Sequence, residues 1–116
     1  MIDVAYKIVE KQSDGSYKFL FHDRKKSFRS GDMLVANKKS GYEDYNKDGS
    51  KKLYLTGIHA IETLELCRKY LKYFKRKDNK AIIFCDVFHT RKKPNSRKGV
   101  MLADTIIVRS EVSIDL

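Results

Sequence analysis

The stretch from about Leu64 to Lys75 has the clearest apolar spacing of an amphipathic helix in the chain. Apolar residues recur there at intervals of three and four, which places them on one helical face. They are Leu64, Cys67, Leu71 and Phe74. Thr63 precedes this pattern and is a suitable N-cap, because its hydroxyl can accept a hydrogen bond from a backbone N–H of the first turn. The sequence therefore predicts one main helix near residues 64–76.

Other short segments alternate between apolar and polar residues, as half-buried strands do. Ala81–Phe88 is apolar at both sets of alternating positions, which is typical of a central strand. Further strands are predicted at Ile2–Val9, Tyr17–Phe21, Met33–Ala36, Leu53–Ala60, Val100–Leu102 and Thr105–Val108. Asp14-Gly15 predicts a hairpin turn between the first two, since glycine readily adopts a positive φ. The expected fold class is α+β, with an antiparallel or mixed sheet of about five or six strands packed on one main helix.

The length of 116 residues fits a single domain. Residues 37–52 hold few aliphatic side chains and are expected to form an exposed insertion. Cys67 and Cys85 both fall inside apolar patterns, so they are expected to be buried thiols in a reducing compartment. Neither a signal peptide nor an apolar run long enough for a membrane helix is recognisable. These features favour an intracellular, cytoplasmic protein without a membrane partner.

The chain carries 25 Lys and Arg residues against 15 Asp and Glu residues, a formal net charge of +10. Such a surplus on a small body creates a field that attracts polyanions, of which nucleic acid is the commonest. The composition does not define an oligomeric state or name a reaction. It favours a non-enzymatic basic binding module that contacts nucleic acid or a nucleoprotein assembly.

Two basic runs are the candidate binding residues. The first, in residues 68–80, begins within the predicted helix and contributes Arg68, Lys72, Lys75 and Arg76. The second is a loop between two predicted strands and contributes Arg91, Lys92, Lys93, Arg97 and Lys98. Tyrosines interleaved with the first run could stack on bases while the cations contact phosphates. Residues 91–94 also match a nuclear-import tetrapeptide, which makes the nucleus an alternative location in a eukaryotic host.

Two other functions are consistent with the sequence. The chain could be an inhibitory protein that docks on an acidic patch of a partner protein and blocks that partner. It could also be a small nuclease, in which case His59, after Gly57 and before the helix, is the candidate acid or base. The salt dependence of binding would only partly distinguish contacts with phosphates from docking on a single partner protein.

No cofactor or metal is expected. Asp44, Asn46 and Asp48 followed by Gly49 copy the first half of an EF-hand loop. The position of the bidentate glutamate is occupied by Leu55, so the ligand set is incomplete. The three histidines are not spaced as helical metal ligands.

Three local patterns occur in a characteristic order. Gly57-Ile58-His59 precedes the helix, a strand follows, and Ala103-Asp104-Thr105-Ile106 lies in the last strands. Residues 53–109 thereby resemble a loose group of small uncharacterised domains of phages and large DNA viruses, which are remotely similar to ADP-ribosyltransferase-like cores. The resemblance implies an accessory protein of viral or phage type. A degenerate ADP-ribosyltransferase-like enzyme would need a catalytic glutamate on a late strand, and Glu111 lies beyond the last predicted strand.

Overall fold

The computed structural model describes residues 3–20, 26–36, 40–45, 51–55, 57–92 and 98–113. Eleven strands and one helix occur in this part of the chain. They are β1 (Asp3–Lys11), β2 (Tyr17–Lys18), β3 (Ser27–Phe28), β4 (Met33–Val35), β5 (Ser40–Tyr45), β6 (Lys51–Leu55), β7 (Ile58–Ile61), α1 (Leu64–Leu71), β8 (Lys80–Phe88), β9 (Arg91–Lys92), β10 (Val100–Ala103) and β11 (Thr105–Val112).

Nine of these strands form one antiparallel sheet. The order along the main path is β4-β11-β8-β1-β7-β10-β9; in addition, β2 pairs with the last two residues of β1, and β3 pairs with β2. Strands β1 and β8 pair over eight residues, from Asp3 opposite Val87 to Glu10 opposite Lys80. Strands β5 and β6 pair with each other as a separate hairpin.

The main sheet curls back on itself at Asp104. This residue alone separates β10, which pairs with β7, from β11, which pairs with β8. Strands β7, β1, β8 and β11 are hydrogen-bonded in this order. The two ends of this path are joined by β10, which pairs with β7 and continues through Asp104 into β11. The corner is held by backbone bonds, since Asp104 donates to Phe88 O (3.1 Å) and accepts from Ala36 N (2.7 Å).

The first of two apolar clusters fills the inside of the curled sheet. Its side chains are mostly small or branched, which suits a tightly curved interior. They include Ala5, Val9, Ala60, Ala81, Ile83, Cys85, Val87, Ala103, Ile106 and Val108. Tyr17 and Phe28, from β2 and β3, are also buried in this cluster, with their ring centroids 5.8 Å apart.

The second cluster lies on the outer face of the sheet, where the helix packs. Cys67 and Leu71 of α1 are buried against Ile8 of β1 and Ile82 of β8. The predicted helical face is confirmed here, and so is the N-cap, because Thr63 Oγ1 accepts a hydrogen bond from Leu66 N (3.2 Å).

The α+β fold class predicted from the sequence is wrong. The structure is mostly sheet, because the nine-stranded sheet builds its own interior core and α1 covers only part of its outer face. The predicted helix is also too long, since α1 ends at Leu71 and not at residue 76. The apolar stripe continues only to Phe74, and the like charges of Lys72, Lys75 and Arg76, at spacings of three and four residues, oppose a longer helix.

Several local predictions are confirmed. Gly15 has a φ of +86°, and β1 pairs with β2 across the predicted turn. The predicted central strand corresponds to β8, which is hydrogen-bonded on both sides. Residues 37–52, expected to be an exposed insertion, contain β5 and the beginning of β6. Their exposure stays a prediction, because residues 37–39 and 46–50 lie outside the described part of the chain.

Candidate functional site

The helix-end surface is a group of exposed side chains on the last turn of α1 and the turn that follows it. It consists of Lys69, Lys72, Tyr73, Lys75, Arg76 and Lys77, all of them exposed. Tyr73 is the aromatic member, with 64% of its surface accessible. No acidic residue occurs in the sequence between Glu65 and Asp78. Five positive charges are thus concentrated on nine residues beside an exposed aromatic ring.

This surface is held in place by Phe74, whose side chain packs into the cluster beneath the helix. The chain leaves α1 through short-range turn bonds, from Tyr73 N to Tyr70 O (3.1 Å) and from Phe74 N to Leu71 O (3.1 Å). The ammonium of Lys80 lies 5.8 Å from the centroid of the Phe74 ring. The backbone of the turn is therefore fixed from below, while its charged side chains project outward.

One of the five cations has an acidic neighbour. Arg76 Nε lies 3.2 Å from Asp78 Oδ1, and this side-chain hydrogen bond lowers the pKa of Asp78 and raises that of Arg76. Both side chains are about three-quarters exposed. An ion pair so open to water contributes little to stability and can exchange for another anion such as a phosphate.

The end of the second basic run approaches the same helix. The hydroxyl of Tyr70 donates to Lys98 O, and Glu62 N donates to Gly99 O (2.9 Å). Gly99 has a φ of +80° and packs so closely against Leu66 that a Cβ would collide with it. Lys98 is exposed on this side of α1. The structure thus brings Lys98 to the helix that carries the helix-end surface.

Two predicted binding residues are instead engaged within the fold. The Arg68 guanidinium donates from Nη2 to Ser113 O (3.0 Å), and its Nε is buried. Arg91 makes an ion pair with Asp104 at 2.6 Å, and the two side chains are only 26% and 13% exposed. Arg91 also lies directly on Gly57, where a Cβ would come within 2.9 Å of the guanidinium.

The other predicted residues of the second run differ in accessibility. Lys92 is exposed on β9, and Lys93 and Arg97 lie outside the described residues. The run was expected to be a loop throughout, but its first two residues form β9 and pair with β10. Lys69 and Lys77 were missed as individual site residues, although the density of cations in residues 68–80 was the signal that could have found them.

The candidate catalytic residue is part of the sheet. His59 lies on β7 rather than in a turn, and its carbonyl accepts a hydrogen bond from Lys7 Nζ (2.6 Å). Lys7 is half-buried, lies 4.8 Å from the centroid of the Phe19 ring, and has its pKa lowered by burial to about 8. Sequence reasoning missed this lysine because it occupies an ordinary position in an alternating strand.

Glu111 belongs to β11, whereas the sequence placed it after the last strand. Its carboxylate accepts hydrogen bonds from Lys11 Nζ (2.9 Å) and Tyr17 OH (3.0 Å). It therefore links three strands at one end of the curled sheet. Within the described ranges, no three His, Cys, Asp or Glu side chains are grouped as metal ligands would be.

None of the helices in the described segments has the length and apolar character that crossing a membrane requires. Comparison of the chain with protein-family models, with curated proteins and with solved structures finds no match.

Proposed function

We propose that this protein is a basic binding module that contacts single-stranded nucleic acid through the helix-end surface. The observation that carries the proposal is the set of five exposed cations around Tyr73, on a turn anchored by Phe74. Cations of this kind neutralise phosphates, and an exposed aromatic ring offers a face on which a base can stack. Lys98 extends the basic area along α1.

The choice of a single strand rests on Tyr73. In a duplex the bases are stacked on one another and their faces are covered, so an exposed tyrosine would add little to phosphate contacts alone. Stacking on one unpaired base is worth about 1–3 kcal/mol. Tyr73→Ala should therefore weaken binding by about 5- to 150-fold, while Tyr73→Phe should retain most of the affinity.

The test is fluorescence anisotropy with labelled oligodeoxythymidine of about 15 nucleotides, titrated at several salt concentrations. Lys72→Gln with Lys75→Gln should weaken binding and reduce the slope of log K against log salt by about 1.4. The matched control is Lys26→Gln with Lys92→Gln, which removes the same charge from exposed positions elsewhere. An equal loss in both double variants would mean that net charge alone attracts the nucleic acid and would reject a defined surface.

Inorganic polyphosphate separates base stacking from charge. It carries phosphates but no bases, so Tyr73→Ala should leave its binding unchanged while weakening the oligonucleotide. If Tyr73→Ala leaves both affinities unchanged, the chain binds polyanions without regard to bases, and the single-strand proposal is wrong.

A further inference from the structure

Lys7 occupies an inward position in β1. Side chains alternate along a strand, so Lys7 shares a face with Ala5 and Val9, which belong to the apolar cluster inside the curled sheet. Its partner in β8 is Ile83, another residue of that cluster. The side chain of this lysine therefore begins in an apolar interior, where a charged ammonium is costly to bury.

The wall of the curled sheet has a gap beside Lys7. One side of β1 pairs with β8 along eight residues, whereas its other side pairs with β7 at Tyr6 and with β2 at Glu10 and Lys11. Between these two pairings, no described strand pairs with residues 7–9 on that side. Lys7 Nζ donates to His59 O of β7 (2.6 Å), so the amine lies at this gap.

The gap can be reached from solvent, because Lys7 and Phe19, whose ring centroid lies 4.8 Å from Nζ, are both half-buried rather than buried. A small molecule that enters beside the Phe19 ring would therefore meet the amine of Lys7.

The charged and titratable neighbours of Lys7 leave its amine without a counterion. Within the described ranges, no carboxylate forms an ion pair with it. The titratable groups that act on it are the thiols of Cys85 and Cys67, and burial raises the pKa of both thiols to about 12. Burial also lowers the pKa of Lys7 to about 8. Near neutral pH, part of this amine is thus neutral and nucleophilic, while both thiols are protonated.

We infer that Lys7 forms a reversible imine with small aldehydes that enter the gap beside residues 7–9. The lone pair of Nζ attacks the aldehyde carbon, a proton passes from nitrogen to oxygen, and the carbinolamine loses water as the C=N bond forms. The step needs no oxidant or reductant. A protonated imine keeps one N–H, for which His59 O is the acceptor, and the Phe19 ring lies near its positive charge. The apolar interior favours an aldehyde with an apolar substituent.

The experiment traps the imine on the folded, full-length protein with butanal and sodium cyanoborohydride. Peptide mass spectrometry then gives the rate of butylation at each lysine. At about pH 7.5, Lys7 should react at least about tenfold faster than the exposed Lys72 and Lys92, because water stabilises the charged form of an exposed amine. The rate at Lys7 should rise with pH around a midpoint near 8 and then level off.

Unfolding the wild type in urea is the first control and should bring Lys7 to the rate of the other lysines. Lys7→Met should remove the fast site, and Lys92→Gln, which removes the same charge from an exposed position, should retain it. The inference is overturned if Lys7 reacts no faster than Lys72 and Lys92 in the folded wild type, or if its advantage survives unfolding. Butylation is measured without nucleic acid, so the failure of this inference and that of the proposed function are distinguishable.

Discussion

The outer face of the curled sheet has two ends that differ in what lies over them. At one end, Ile8 and Ile82 are buried beneath Cys67 and Leu71 of α1. At the other end, Val4, Met33 and Val35 face outward with about half to two-thirds of their surfaces exposed. Between them, Tyr6 and Phe84 pair with ring centroids 5.5 Å apart.

The difference follows from the lengths of the elements. A helix of eight residues is about 12 Å long, whereas the nine residues of β8 extend about 30 Å. One short helix therefore covers only part of the strands. The sheet does not depend on further cover, because the inner cluster is enclosed by the curled strands themselves. Within the described residues, the side chains beneath α1 are buried, and those at the other end of the face stay exposed.

The largest expected effect is at the covered end. Leu71→Ala removes a side chain that is 5% exposed and leaves a cavity under the helix, so it should lower the free energy of unfolding by about 2–5 kcal/mol. Lys72→Ala, at the next residue, is exposed and should change it by less than about 0.5 kcal/mol. Urea unfolding of both variants measures the contrast. Similar losses would show that α1 is not packed as described.

The next effect concerns Arg91, which sequence analysis assigned to binding. Arg91→Gln breaks the ion pair with Asp104 at the corner that closes the sheet, and it leaves a carboxylate that is only 13% exposed. We expect a loss of about 1–3 kcal/mol in urea unfolding. Lys92→Gln is the neighbouring control and should be nearly neutral. If both substitutions are neutral, Arg91 does not hold the corner.

A smaller effect should appear in the dependence of stability on pH. Burial lowers the pKa of Lys7 from 10.5 to about 8, so between these values the unfolded chain holds more protons and stability rises with pH. Burial also raises the pKa of Cys67 and Cys85 from 9.0 to about 12, which makes stability fall above about pH 9.

Between about pH 7.5 and about pH 9, the change in stability with pH therefore comes mainly from Lys7. Over this interval the wild type should gain stability relative to Lys7→Met, which keeps the apolar stem and removes the ammonium. Parallel profiles for the two proteins in thermal unfolding would show that Lys7 is not desolvated in the folded state.

The smallest effect is expected at the exposed end of the outer face, where Val4, Met33 and Val35 lie. Met33→Thr and Val35→Thr should each change the free energy of unfolding by less than about 0.5 kcal/mol, because these side chains are already in water. A loss comparable to that of Leu71→Ala would mean that another part of the chain covers this face.

Sequence patterns predicted the features that depend on neighbouring residues. Asp14-Gly15 specified a tight turn, Thr63 specified the start of the helix, and the apolar run around Ile83 specified a buried strand. They did not predict where α1 ends, because Phe74 continues the apolar spacing beyond Leu71, which is the last helical residue.

The remaining features depend on distant contacts. Strands β3 and β9 have two residues each, too few to show alternation. The pairing of Arg91 with Asp104 depends on the corner between β10 and β11, which no local pattern indicates. The position of β4 at one end of the main sheet path likewise follows only from the order of the described strands. Of the candidate site, the sequence predicted the cation-rich segment. It did not predict that Arg68 and Arg91 are bonded to other residues of the fold.

The most direct test of the account is a nuclear magnetic resonance titration of the labelled protein with oligodeoxythymidine. The amide shifts should change in residues 69–77 and at Lys98, and the amides of Met33 and Val35 should stay unchanged. Changes that are largest at β4, or that spread evenly over the sheet, would contradict the assignment of nucleic-acid binding to the helix-end surface.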